Sequence, residues 1–339
     1  MRHVAIDLGG RESQVCIRSE DGSILSESKV PTKSLPKLVT TWDTSKVILE
    51  TSAEAFRVAD AAAAVGHAVR VIPASLVRHL GIASRRIKND RRDAQILSEV
   101  SCRIDLPSVH IPSESSRQLK SLCGSRDALI KSRTLLINNV KGWLRTQLSR
   151  VRSGTTQTFP ERVKQHAETA NLELLPHIAR QLVVIESINE QVKEADLQVK
   201  QFAAADPVCR RLMTVPGVGA ITAVRFLAAL DQVSRFRHAH AMQSYLGLTP
   251  GENSSSERKQ TIGITKAGPC ELRRTLVQAA WVAIRHAQSE PMVKWANAIA
   301  ARRGKFIAVV ALARKIAGIL FALWRDGTTY RSSRSALEA

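Results

Sequence analysis

The chain has 339 residues, enough for two or three domains that each bury a core of their own. Lys and Arg number 50 against 30 Asp and Glu, a net charge of +20 with a pI near 10.4. That surplus points to a polyanion, nucleic acid first and an anionic membrane surface second, although the sequence shows no isolated Lys/Arg-faced amphipathic anchor. The five cysteines, Cys16, Cys102, Cys123, Cys209 and Cys270, are scattered and never spaced Cys-x-x-Cys. They argue against a disulfide framework or a zinc site and fit a reducing bacterial cytoplasm. The opening residues start a strand at once and lack the apolar run of a signal peptide.

In chain order, residues 4–8 are a short apolar strand that reaches Asp7, and 14–18 and 24–30 flank the hairpin-turn dipeptide Asp21-Gly22. A short helix is expected over 35–41, a strand over 46–50 ending on Glu50, an Ala-rich helix over 53–65, a strand over 69–72 and a helix over 91–100. That succession predicts a mixed α/β sheet within residues 1–108. Residues 107–112, with a proline at each end, read as a linker. From 109 to 205 the pattern turns helical with a period of seven: Leu122, Leu129 and Leu136 on one line, Ile130, Ile137 and Leu144 on the next, then Ile178, Ile185, Val192 and Val199. Two such helices form an antiparallel hairpin, a dimerising coiled coil or an intramolecular bundle. Residues 206–330 read as a mainly α domain with a polar loop at 249–260, a helix at 270–287 and an apolar helix at 306–324, followed by a tail at 331–339. Arg314 and Lys315 interrupt the apolar run, which reads as a buried helix rather than a membrane span, and no membrane partner is expected. Of the +20, +12 lies between residues 206 and 339.

Four acids stand out. Asp7 and Glu50 close strands, and the carboxyl edge of an open α/β sheet is where sites gather. Asp90 and Asp93 sit in Lys88-Asn-Asp-Arg-Arg-Asp-Ala94 among Arg85, Arg86, Lys88, Arg91 and Arg92. Three residues apart, they share one side of a helical turn. Together the four suit two Mg²⁺ ions acting on a phosphodiester, with the bases holding the polyanion. The plainer alternative is that Asp90 caps the helix and Asp93 pairs with Arg86 or Arg92. Val215-Pro-Gly-Val-Gly219 matches the turn of a helix-hairpin-helix, where Gly217 and Gly219 let backbone N–H groups approach a phosphate; it also matches any sharp turn between helices. In Tyr245-Leu-Gly-Leu-Thr-Pro-Gly-Glu-Asn-Ser-Ser-Ser-Glu-Arg-Lys-Gln260, followed by Gly263-Ile-Thr-Lys-Ala-Gly268, three serines lie beside Arg258, Lys259 and Lys266. A serine there can attack a phosphodiester, although by composition Ser-Ser-Ser is more often a flexible loop.

These motifs, in this order from residue 4 to residue 324, resemble the DEDD-type transposases of bacterial insertion sequences. The resemblance implies a RuvC-like, RNase H-fold first domain at 1–108, a coiled-coil region at 109–205 and a C-terminal transposase domain at 206–330 with the helix-hairpin-helix. It implies that Asp7, Glu50, Asp90 and Asp93 hold Mg²⁺, or Mn²⁺ in its place. It further implies a serine that links covalently to DNA. The family's serine precedes a glycine; here Ser256 stands in that place, so the register gives Ser255 and leaves Ser254 and Ser256 open. The implied partners are DNA (element ends and target), a structured guide RNA from the element's own ends, and further copies of the chain, a dimer or a tetramer at the synapse. Two other catalytic readings remain, beside that of a non-catalytic DNA-binding protein. One is a RuvC-like Mg-dependent structure-specific endonuclease using water. The other rests on Ile6-Asp-Leu-Gly-Gly10, which resembles the first phosphate loop of actin-like sugar kinases and ATPases, but Arg11 and Glu12 stand where those folds carry Thr or Ser.

Overall fold

The computed structural model describes residues 1–79, 90–255 and 258–332. They form two compact units, Met1–Pro112 and Ser113–Ala339.

The N-terminal unit is built on β1 (Arg2–Asp7), β2 (Glu12–Arg18), β3 (Ile24–Pro31), α1 (Leu35–Leu38), β4 (Ser45–Glu50), α2 (Ala55–Ala64), β5 (Ala68–Ile72), α3 (Ala74–His79) and α4 (Asp90–Arg103). The strands lie in the order β3-β2-β1-β4-β5. β2 runs antiparallel to both β1 and β3, whereas β4 runs parallel to β1 and β5 parallel to β4. Successive side chains on a strand face opposite ways, so each central strand feeds two cores. Val4, Ile6, Val47, Leu49 and Val71 pack against Leu35, Val58, Ala59 and Ala62 on one face. Ala5, Ile48 and Ile72 pack against Leu97 on the other. This is why the strands read as continuous apolar runs. The β2–β3 turn forms where Asp21-Gly22 places it. The Asp21 carboxylate accepts the Ser23 amide at 2.9 Å and the hydroxyls of Ser19 and Ser23. Those hydrogen bonds, Ser19's foremost, hold its pKa down at about 2. Residues 108–109 bond to the otherwise open edge of β5, Val109 N to Val71 O at 2.8 Å and Val71 N to Ser108 Oγ at 2.9 Å.

The C-terminal unit opens with two long helices, α5 (Glu114–Thr146) and α7 (Pro176–Ala205), with α6 (Phe159–Thr169) between them. α5 and α7 run antiparallel: Arg126 bonds Asp196 at 2.5 Å, and Arg133 bonds Asn189 at 3.0 Å. Ile178, Ile185, Val192 and Val199, the seven-residue line, are all buried. At the α6 end they meet Ile137, Val140, Leu144, Phe159 and Val163. Heptad-spaced helices thus pack against each other within one chain.

The remainder comprises α8 (Pro207–Leu212), α9 (Ala220–Leu230), α10 (Ala239–Tyr245), β6 (Pro250–Ser255), β7 (Arg258–Ile264), α11 (Cys270–His286), α12 (Pro291–Arg303) and α13 (Lys305–Asp326). α13 is long and apolar enough to cross a membrane by length and composition. Here Leu312, Ile316, Leu320 and Phe321 are buried in the core shared with α9, α10, α11 and α12. Between α5 and α9 a buried ion pair joins Asp127 to Arg225. One expectation is overturned: residues 249–260 are not a loop, because β6 and β7 pair antiparallel, Asn253 opposite Gln260 and Ser255 opposite Arg258. Their Ser, Asn, Glu and Lys content disfavours strands, and the pairing is imposed by the clamp at the hairpin's root described below.

Candidate active site

Asp7 is the last residue of β1 and Glu50 the last of β4. The strands are parallel neighbours in a register that sets Ile6 beside Leu49, so the two acids end adjacent strands at the same carboxyl edge. Both are half-buried. Behind Glu50 the backbone is held by Thr51, whose amide and hydroxyl both donate to Ile72 O, at 2.9 and 2.8 Å. Behind Asp7, Thr32 donates its hydroxyl to Gly9 O at 2.7 Å and its amide to Arg11 O at 2.9 Å.

α4 brings a third acid. His3 Nδ1 lies 3.0 Å from Ser101 Oγ, and the Ser98 hydroxyl 3.2 Å from the Cys16 sulfur, Cys16 being paired with Ala5. Helix numbering falls as strand numbering rises, so α4 runs antiparallel to β1. From Ser101 back to Asp93 the helix travels about 12 Å, and from His3 to Asp7 the strand travels about 13 Å. Asp93, half-buried, therefore lies at the level of the strand ends. The helix is strapped down by Arg18, which bonds Ser98 at 2.9 Å and Gly22 O at 2.7 Å. Glu27 on β3 bonds Arg91 at 3.0 Å and also Gln95. Those bonds, Arg91's first, hold the Glu27 carboxyl below its ordinary range. Arg91 is thus occupied by a carboxylate, while Arg92 is exposed. Asp90 opens α4, and its side chain lies outside the described residues, as do Arg85, Arg86 and Lys88 altogether. Among the described residues no three His, Cys, Asp or Glu side chains gather as a metal site. The donors themselves, half-buried carboxylates ranged at one strand edge, are the hard oxygen ligands that suit Mg²⁺.

In the C-terminal unit the hairpin is rooted by backbone packing. Gly268 has φ +67, and a Cβ there would run into Tyr245 O. Arg273 Nη1 donates to Leu246 O at 2.9 Å and to Ala267 O at 2.7 Å, tying both flanks together. Arg273 was not singled out in the sequence; its place one turn into α11, five residues past a motif glycine, was the available signal. Ser254 faces Lys259 and Ser255 faces Arg258 by backbone register. The side chains of these four, and Ser256 altogether, lie outside the described residues. Lys266 is exposed, its amide on Gly247 O at 3.1 Å. In the turn between α8 and α9, Gly217 has φ +86 and a Cβ there would run into Ala279 O of α11, so close packing accounts for it. Gly219 is exposed at the N-terminus of α9.

Two family models match the chain. One, described as Transposase IS116/IS110/IS902 family, covers residues 209–294, and the DEDD transposase model of IS110 type covers residues 4–148. The transposase for insertion sequence element IS1111A of Coxiella burnetii is 32% identical over 268 residues, 77% of this chain and 73% of that protein. The chain belongs to the IS110/IS116 family of insertion-sequence transposases. The transposase for insertion sequence element IS1328 of Yersinia enterocolitica is 27% identical across 96% of this chain and 98% of its own length. A probable family 20 transposase of Pseudomonas aeruginosa is 28% identical over 79% of the chain and 80% of its own length. In this IS110-type transposase the DEDD match runs from β1 to just beyond α5, and the second match spans α8 to the start of α12. The strand-end acids fall in the first and the serine hairpin in the second.

A further basic feature lies between α5 and α6. A cavity of about 390 Å³ is lined by Lys141, Arg145, Arg150, Arg152 and Arg162, with no acidic side chain. Arg162 orders its rim by donating to Thr155 O at 2.7 Å and to Arg152 O.

Proposed function

We propose that this chain is a DNA recombinase that cuts and rejoins the ends of an insertion sequence and its target through a covalent serine–DNA intermediate. The observation that carries the reading is the register that ends β1 and β4 together on Asp7 and Glu50, with α4 delivering Asp93 to the same level. In this reading the first unit is RuvC-like, and Asp7, Glu50, Asp90 and Asp93 hold two Mg²⁺, for which Mn²⁺ can substitute. When bound, the metal neutralises and polarises the scissile phosphate. The chain's residues do the rest. The hydroxyl of Ser255 (or of Ser254 or Ser256) loses its proton as its oxygen bonds to phosphorus. The phosphorus–oxygen bond to deoxyribose breaks, and the leaving oxygen takes up a proton. Attack by a hydroxyl of another strand reverses the exchange and frees the serine. One phosphoester replaces another at each step, so no nucleotide cofactor is consumed. Arg258, Lys259 and Lys266 stabilise the charge developing on phosphate. Arg85, Arg86, Lys88 and Arg92 hold the strand, and Arg91 keeps α4 docked through Glu27. Gly217 and Gly219, in the helix-hairpin-helix reading, present backbone N–H groups to a phosphate.

The reading extends to partners: DNA at the element ends and the target, a structured guide RNA, and further copies of the chain assembled as a dimer or tetramer, working in a bacterial cytoplasm. The +20 charge supports a polyanion on this scale. The test is Ser255→Ala, with Ser254→Ala and Ser256→Ala beside it, assayed for a protein–DNA adduct on a denaturing gel. One of the three is expected to abolish both adduct and strand cleavage. Cleavage by all three at the wild-type rate would replace the serine with water and make the chain an endonuclease. Sequencing of RNA that co-purifies with the chain tests the guide, and absence of a discrete species from the element removes it.

A further inference from the structure

Residues 272–325 contain ten Lys and Arg and one acid, Glu290. Glu290 is engaged, accepting from Tyr330 at 2.9 Å and from Ser332 at 2.9 Å. Within this cationic stretch sits a large exposed aromatic. Phe306, in the first turn of α13, is 82% exposed. Trp281 of α11 meets it edge-on, with centroids 6.4 Å apart and planes at 83°. An edge-on neighbour supports one side of an aromatic pair and leaves ring surface open. Trp295, by contrast, has Lys315 over its ring at 4.4 Å. Around the Trp281–Phe306 pair the sequence places Arg302, Arg303 and Lys305 immediately before Phe306, and Arg285 one turn beyond Trp281, all exposed. Water is a poor neighbour for a ring so bare, and among the described residues the edge of Trp281 leaves most of Phe306 uncovered.

Three occupants come into question. A second copy meeting the same patch face to face would bring this cationic surface against itself. A membrane needs a broader apolar face than a pair of rings and a few exposed aliphatics. Unpaired nucleotides meet both features at once, because every base offers a π-face to a ring and every linkage a charge to an Arg or Lys. We propose that α11 and the start of α13 form a binding surface for single-stranded nucleic acid, with bases stacked on Phe306 and Trp281 and phosphates held by Arg285, Arg302, Arg303 and Lys305. Paired duplex does not satisfy it, since its bases are already stacked on each other. None of these residues is assigned a part in the cleavage chemistry proposed above, and the proposal does not rest on that chemistry.

The experiment uses the full chain carrying Asp7→Ala, so that no strand is cut, and it stands whichever way the cleavage tests fall. Binding of oligothymidylate, of oligouridylate and of a duplex, each of about twelve nucleotides per strand, is followed by fluorescence anisotropy. Phe306→Ala is expected to weaken single-strand binding about fivefold or more, the effect of one lost stack, and to leave duplex binding unchanged. Phe306→Tyr restores it and Phe306→Leu does not. The thymidylate and uridylate arms tell whether DNA or RNA is preferred. Iodouracil-substituted strands, photo-crosslinked and mapped by mass spectrometry, are expected to mark Trp281 or Phe306. This second readout covers the case in which other basic surfaces dominate the anisotropy. No adduct between residues 281 and 306, equal losses on duplex and single strand, or a drop in oligomer mass with Phe306→Ala would each overturn the proposal.

Discussion

The N-terminal unit carries 16 basic against 13 acidic residues, the C-terminal unit 34 against 17. The two are also built differently. The first is a sheet whose core is apolar on both faces, with its acids at the strand ends and at the start of one helix. The second is a stack of helices with a buried ion pair in its interior and cations over its surface. The acids of α4 nevertheless lie in a basic run, with Arg91 and Arg92 beside Asp93. One of those cations is taken up within the unit, since Glu27 of β3 bonds Arg91 at 3.0 Å. In the proposed reading the carboxylates of the first unit hold the metal, while most of the surplus charge available to a polyanion lies in the second.

The sharpest way to break that division is Asp7→Ala. Strand cleavage is expected to fall at least a thousandfold, about 4 kcal/mol of transition-state stabilisation, with duplex affinity in a filter-binding assay unchanged. Equal loss of both would erase the distinction. Next comes Arg225→Ala, which leaves Asp127 buried without its main partner and should cost about 3 kcal/mol or more. Denaturant unfolding should show the loss in the C-terminal unit, while hydrogen exchange in β1 and β4 stays as in the wild type. Protection lost equally from both units would mean they share one cooperative transition. Gly268→Ala sets a Cβ against Tyr245 O at φ +67 and is expected to cost about 2 kcal/mol. A melt that does not shift would show that the hairpin's root is not the clamp described.

The smallest effect concerns pH. Glu27 titrates below the ordinary Glu range because Arg91, then Gln95, bonds its charged form. A lowered folded-state value adds stability that is complete above the unfolded-state range and lost as pH falls through the lowered one. α4 should therefore gain amide exchange on acidification through that window, and Glu27→Gln should flatten the response. An identical pH profile in the variant would detach α4 from this contact.

Much of the first unit was legible because β1, β4 and β5 are short apolar runs, the first two ending on an acid, and Asp21-Gly22 fixes the hairpin between β2 and β3. What no local pattern contains is that β4 lies beside β1. That neighbourhood, which makes Asp7 and Glu50 a pair, arises from a crossover between strands some forty residues apart. α3 was missed altogether, and Glu27 went unnoticed because its partners are 64 and 68 residues away. In the second unit the heptad lines identified the helices but left open whether the partner was another chain. The antiparallel contacts of Arg126 and Arg133 supply the intramolecular packing. The serine segment was illegible as a hairpin because its own residues disfavour strands. Its shape depends on Gly268 and Arg273, which lie outside the segment.

The docking of α4 onto β1 has a consequence for synthesis. β1, β2 and β3 pair through local turns and can form as soon as they emerge from the ribosome, and β4 follows soon after. Asp93 reaches the strand ends only when the helix around Ser98 and Ser101 is available to settle on Cys16 and His3, residues made some eighty to a hundred positions earlier. A nascent chain that stops before residue 90 carries the strand-end acids and nothing from α4. Translation that is interrupted early therefore releases only fragments with an incomplete carboxylate set.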